Sequence, residues 1–199
     1  MYRPAVPYLP RARMMAALAA VLILAGCSTY LGSSRPSDPA KLLEPGWIAV
    51  TNVPYIAQRE DKDCGVAALA MVLAHWKKVQ GIDEVREACP PDPERGIEVS
   101  MLRAFAKKKG LQTYVFDGEF KVFEDELSRG RPVLVGMGKP TLGGPVSHFE
   151  VVVGYNPERG LVMTLDPALG VRVNDEAGFR EEWRLAEYLT LVIFRLNDK

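Results

Sequence analysis

Two residues suited to acyl-transfer chemistry lie within "QREDKDCGVAALAMVLAHW", residues 58–76: Gln58, and Cys64 at the mouth of an apolar stretch. A thiol at a helix N-terminus feels the positive end of the helix dipole, which favours thiolate, the nucleophilic form. Gly65 follows and leaves room for an attacked carbonyl to approach. Asp63 opposes the thiolate if exposed, so it is expected to act as an N-cap and spend its charge on backbone N–H groups. Alone, Cys64 reads better as a small inert core residue. A base must be found.

The chain has 2 histidines, so the search is exhaustive. His75 lies on the same expected helix as Cys64, about 16 Å further along its axis, far beyond hydrogen-bond reach. His148 sits at the start of the strand-like "HFEVVVGY", after the Gly- and Pro-rich "GKPTLGGPVS". If "NPERG", residues 156–160, turns a hairpin, Tyr155 faces Leu161 and His148 faces position 168. Asp166 is then the diagonal neighbour on the same face. A carboxylate there can hold one imidazole nitrogen while the other faces the thiol. Asp166 also starts "DPALG", an equally good turn, and spacing alone leaves both readings open.

The elements that must position these groups are mixed. "WIAVTNVPYI" reads as extended. Residues 63–78 read as a central buried helix, apolar on nearly every side. Shorter helices are expected over 82–88 and 99–109, the latter closed by Gly110. A strand "LQTYVF" follows, then an amphipathic helix in "EFKVFEDELSRG". Four strands come next: "PVLVGM", "HFEVVVGY", "LVMTLD" and "YLTLVIFRL". Helices first and antiparallel strands later make an α+β fold.

In front of this domain lies a targeting pattern. Arg3, Arg11 and Arg13 precede the apolar "MMAALAAVLIL", residues 14–24, and then "AGC" ends at Cys27. Eleven apolar residues are too few to span a bilayer, which takes about 20, but they suit a secretory signal. "LAGC" resembles the lipobox of bacterial lipoproteins, which implies removal of residues 1–26 and acylation of Cys27. Ser28 at the next position implies, by the same resemblance, sorting to the outer membrane, facing the periplasm. Residues 27–46, rich in Ser, Pro and Gly, read as a tether, and the folded domain is expected over 47–199.

Composition fits this organisation. The chain has 199 residues, 48% hydrophobic and 25% charged, enough for one domain with a real core. Without the three signal arginines, 22 basic residues face 25 acidic ones. No concentrated basic surface draws it to nucleic acid; "KKKG" at 107–110 is a solvated helix end. Two distant histidines and three cysteines have no metal-ligand spacing. Cys89 is expected to be buried and free.

Gln58, "DCGVAALAMV", "SHFEVVVGYN" and "LDPALG" together resemble the papain-like family 39 cysteine peptidases, bacteriocin-processing enzymes that cut after a double-glycine leader. The resemblance runs from Val53 to about Arg195, with the motifs in the family's order. It implies a papain-like fold, with the nucleophile helix packed on a C-terminal antiparallel sheet. It further implies Cys64 as nucleophile, His148 as base, Asp166 as its orienter and Gln58 as an oxyanion-hole donor, with no cofactor. The Gln58 amide and the Cys64 N–H could both serve a developing oxyanion. Many family members are the N-terminal domain of an ATP-driven exporter. Here no P-loop pattern and no membrane-spanning run follow Cys27, so a lipid-anchored peptidase acting on a secreted peptide or protein is expected, with a secretion system as a possible associate. Two other classes compete: a silent module that binds glycine-rich segments, and a murein-acting enzyme of the same clan. The intact Cys64, His148 and Gln58 speak against the first. The second usually carries "DCSG" and an orienting histidine; this chain has "DCGV" and no third histidine.

Overall fold

Alternating apolar residues along the strands build one sheet that is buried on both faces. The computed structural model describes residues 30–196; the expected signal and Cys27 lie outside the described residues. The strands are β1 (Arg35–Pro36), β2 (Ile48–Ala49), β3 (Gln112–Asp117), β4 (Val133–Lys139), β5 (Val146–Asn156), β6 (Leu161–Asp166), β7 (Gly170–Asp175) and β8 (Leu189–Phe194). They form a sheet in the order β1-β7-β6-β5-β4-β8-β3, with β2 joined to β5 and every pair antiparallel.

Because side chains alternate along a strand, neighbours serve opposite cores. Leu134, Val151, Leu165 and Leu191 point to the face covered by α1 (Cys64–His75), α2 (Ile82–Ala88) and α3 (Val99–Lys108). Val133, Val135, Val152 and Val162 point to the other face, covered by α4 (Phe120–Ser128) and α5 (Glu176–Arg184). Helix α1 has no polar stripe because it needs none: Cys64 through Leu73 are all buried. Helix α3 ends as expected, with Gly110 in the left-handed region at φ 80°.

Three features depart from the sequence reading. Of the extended "WIAVTNVPYI", only Ile48–Ala49 joins the sheet. Strand β7 and helix α5 had no forecast, because "GVRVND" alternates weakly and "EAGFREEWR" carries two large apolar residues. Those two, Phe179 and Trp183, stand one turn apart and are both buried. Asp175 caps the helix, its Oδ1 accepting from Gly178 N at 2.8 Å. Finally, residues 30–46, expected as a tether, run against the domain. Arg35–Pro36 pair with β7, Tyr30 bridges Thr141, and Leu42 is buried in the α1-side core.

The β5–β6 hairpin shows how register is set. At the turn Asn156 pairs with Leu161 and Tyr155 with Val162, one step from the pairing expected. A bulge between Val152 and Gly154 takes that step back, so Val151 pairs with Leu165. The end of β5 that carries His148 therefore meets β6 in the expected register after all.

Candidate active site

Cys64 opens α1, His148 lies near the start of β5, and Asp166 ends β6. The structure brings these three together. His148 Nε2 lies 2.8 Å from Asp166 Oδ1, and the imidazole faces the Cys64 thiol closely enough to lower its pKa. His148 shares its sheet face with Glu150 and Val152, while α1 packs on the opposite face. The thiol reaches the imidazole because it sits at the helix terminus, at the end of the sheet.

Electrostatics follow from these contacts. Burial pushes the Cys64 thiol up. The hydrogen bond and charge of His148, with N–H groups of Phe149 and Gly65 donating to sulfur, more than offset it, and the net shift is downward. Burial pulls His148 down, but Asp166 and Cys64 raise it to about 10. Burial likewise disfavours the Asp166 carboxylate, yet His148, Lys139 and backbone N–H groups hold it near about 2. Opposite shifts on thiol and imidazole are what a thiolate–imidazolium pair requires.

Asp166 is both the orienting carboxylate and the turn residue that the sequence offered as alternatives. Its Oδ1 accepts from Ala168 N at 2.9 Å and Leu169 N at 3.2 Å as well as from His148. The turn thus locks the carboxylate that holds the ring.

Asp63 is not the expected cap. It makes no side-chain bond to the helix; its Oδ2 accepts from Glu60 N at 3.2 Å and its Oδ1 lies 3.5 Å from Arg86 Nε. A fully buried carboxylate needs a partner more than a helix end does, and Arg86 supplies it. Gln58 is pinned to the Asp166 turn, its backbone N donating to Pro167 O at 3.0 Å. Its side-chain Nε2 donates to Glu60 O at 3.1 Å, and its buried Oε1 has no hydrogen-bond partner among the described residues. His75 stays away from this site, with Nε2 3.1 Å from Gly130 O. Cys89 is free and buried, and burial raises its thiol pKa.

Two recesses lie at the site, one of them beside the thiol. One, about 340 Å³, is lined by Cys64, Lys62, Arg95, Gly96 and Phe149. The other, about 520 Å³, lies beyond His148 against Ile97, Met137 and Leu189.

The sequence reading missed the layer behind Asp166. Lys139, at the end of β4, is buried among Glu150, Glu182 and Asp166. Among the described residues, His148, Glu150 and Asp166 are the group whose atoms could hold a metal, but Lys139 already supplies the cation between those carboxylates. The available signal was Glu150 itself, a carboxylate inside the otherwise apolar "FEVVVGY" of the strand-like stretch after His148.

A helix presenting a thiol to an imidazole and a carboxylate on an antiparallel sheet defines a papain-like cysteine peptidase fold. Within that class, the chain belongs to the peptidase C39 family, whose model matches residues 52–193. It is 30% identical over 131 residues to the mesentericin-Y105 transport/processing ATP-binding protein of Leuconostoc mesenteroides, covering 66% of this chain and 18% of that protein. It is 27% identical over 128 residues to the lactococcin-G-processing and transport ATP-binding protein of Lactococcus lactis, covering 64% of this chain and 17% of that protein. The matched stretch is thus under a fifth of the length of either relative. Among solved structures, the fold resembles a double glycine motif protease from an AMS/PCAT transporter in complex with its leader peptide, with TM-score 0.60, 24% identity, and 74% of this chain and 94% of that one covered. It also resembles the peptidase domain of Streptococcus ComA, with TM-score 0.60, 23% identity, and coverage of 72% and 99%.

Proposed function

We propose that this protein is a lipid-anchored thiol peptidase that hydrolyses a peptide bond after a Gly-Gly or other small-residue site in a secreted peptide or protein. One observation carries the reading: a thiol at a helix N-terminus beside an imidazole whose Nε2 lies 2.8 Å from a buried carboxylate.

The Cys64 thiolate attacks the scissile carbonyl, forming a C–S bond and an oxyanion. The Cys64 N–H and the Gln58 amide would stabilise that oxyanion. In the structure one Gln58 N–H is engaged by Glu60 and the carbonyl end is unsatisfied, so this role requires the amide to reorient when substrate arrives. The His148 imidazolium then protonates the leaving amine, and the C–N bond breaks to leave a thioester. A water, deprotonated by His148, attacks the thioester and releases the acid. Asp166 keeps the ring in place throughout.

The Gly-Gly preference comes from the resemblance to the double glycine motif protease, and a recess lined by Gly96 and Phe149 lies beside the thiol. Anchoring at Cys27, with the enzyme facing the periplasm from the outer membrane, rests on the lipobox pattern. No helix among the described residues is long and apolar enough to cross a membrane.

The test is a peptide with Gly-Gly before its cleavage point, offered to the chain from residue 27 onward under reducing conditions. Cleavage after the second glycine is expected, with Cys64→Ala abolishing it while retaining binding, because recognition lies mostly in the cleft. Binding without cleavage by the wild-type chain would replace this reading with that of a silent binding module.

A further inference from the structure

Asp166 gives its Oδ1 to His148 and to its own turn, and its buried Oδ2 receives no hydrogen bond among the described residues. The charge facing Oδ2 is the ammonium of Lys139, 3.6 Å away. Lys139 is itself held from two sides. Its Nζ pairs with Glu150 on β5 and lies 3.0 Å from Glu182 Oε2 on α5. Side-chain exposure is 9% for Lys139, 2% for Glu150, 4% for Glu182 and 0% for Asp166. The outer end is closed by Tyr30, whose hydroxyl donates to Glu182 Oε1 and accepts from Ser34 N at 3.0 Å. The Tyr30 ring packs against Lys139, with Nζ 5.0 Å from its centroid.

A buried ammonium among three carboxylates costs desolvation that apolar side chains of the same size would avoid. A fold that only needed filling here had cheaper choices. We propose that Lys139 is a positioning residue for the thiol–imidazole–carboxylate site, with Glu150, Glu182 and Tyr30 as its holder, deepening the peptidase reading on which it rests. Lys139 draws Oδ2 inward, and this fixes the rotation of the carboxylate so that Oδ1 points at His148 Nε2. It also keeps Asp166 ionised beside two further carboxylates, which would otherwise drive it to take up a proton. The groups that act on His148 and Asp166 electrostatically are then Cys64 and Lys139, with Glu150 and Glu182 facing Lys139 and the hydroxyl of Tyr55, near Asp166, donating to Pro167 O at 3.2 Å. Arg172 lies further out, against Tyr30.

Removing the ammonium raises the pH at which Cys64 becomes thiolate by either of two routes. If Asp166 stays charged, its carboxylate is no longer held in rotation, Oδ1 can turn away from His148, and the imidazolium that favours the thiolate is weakened. If Asp166 protonates, His148 loses its partner and the thiol reverts towards an ordinary value. The informative variant is Lys139→Met/Glu150→Gln, which keeps the net charge of the cluster and so guards folding while leaving Oδ2 without its cation. The probe is iodoacetamide, which needs no known substrate, with Cys64 alkylation followed from pH 4 to 9 alongside thermal melting.

Wild type should alkylate with an acid limb below neutral pH. In the double variant that limb should rise by about one unit or more, so that the rate at pH 6 falls roughly tenfold; Lys139→Arg should regain part of the loss. A double variant that keeps the wild-type profile overturns the Lys139 role. If wild-type Cys64 alkylates like an ordinary thiol, it is the peptidase reading that fails instead. A second measurement needs no variant: the side-chain ammonium resonance of Lys139, which stays protonated, should shift as the His148 ring titrates. An ammonium signal that stays fixed while His148 titrates would also defeat the proposal.

Discussion

At the scale of single residues, the chemistry divides between two buried thiols with opposite fates. Cys64 is pulled down by His148 and backbone N–H groups, whereas Cys89 is pushed up by burial. Iodoacetamide at pH 6 should therefore label Cys64 much faster than Cys89, read by mass spectrometry of the digested protein; equal rates would remove the activated thiol. His148→Ala should bring Cys64 to the behaviour of an ordinary thiol and abolish hydrolysis about as completely as Cys64→Ala, because nucleophile and base act as a unit. If Gln58 takes the proposed oxyanion role, Gln58→Ala should keep a residue of turnover, the loss of one such donor costing on the order of 10²–10³. The pH dependence of stability is fixed by sign. Asp166, lowered to about 2, contributes above its unfolded value and loses that contribution as pH falls towards 2. His148, raised to about 10, contributes fully below its unfolded value and loses that contribution as pH rises towards 10. The melting-temperature gap between wild type and Asp166→Asn should thus be widest between about pH 4 and pH 6.5, bounded by the unfolded pKa values, and should shrink on either side.

At the scale of elements, the contact between α1 and β5 places sulfur against imidazole. Gly65 lies where a Cβ would strike Ile97 and come within 2.9 Å of the Phe149 ring. Phe149 is also the residue whose N–H donates to sulfur. Gly65→Ala should therefore destabilise by about 1–3 kcal/mol through overpacking and also slow alkylation of Cys64, since the helix mouth must back away from β5. Denaturant melts and alkylation rates measured on one preparation would separate the two effects. The β5 bulge acts on the same geometry from the sheet side. Without its extra residue, the His148 end of β5 would slip by one position and turn the imidazole to the α1 face, away from Asp166.

At the scale of the whole molecule, two cores share one sheet, and the N-terminal segment ties into both the sheet and the layer behind the site. Tyr30 bonds Glu182, Arg35–Pro36 extend the sheet beyond β7, and Leu42 packs against Gly154. A chain starting at Trp47 should lose at least about 2 kcal/mol relative to one starting at residue 27, from the burial of Leu42 alone and before any strand pairing is counted; chemical denaturation of both would check it. Cys27→Ser should release the protein from the membrane fraction if the lipobox reading holds, and unchanged membrane association would end that reading.

What the sequence by itself determined was local chemistry and local period. Cys64 before an unbroken apolar helix, His148 at the head of an apolar strand, and Asp166 at a hairpin diagonal were all legible, because helix and strand repeats project directly onto residue numbers. The α+β class and most element boundaries followed from the same repeats. Only the tertiary structure decided three further things. It placed Arg86 against Asp63, 23 positions apart in the chain, where local reasoning expected a helix cap. It folded residues 30–46 onto the domain, because a segment with little periodicity can still bury one leucine and half-bury one tyrosine when a sheet edge is waiting. And it gathered Lys139, Glu150, Glu182 and Tyr30 behind Asp166 from three strands or helices and a loop. No periodic signal links those positions, because desolvated charges choose their partners through space, and sequence distance does not enter that choice.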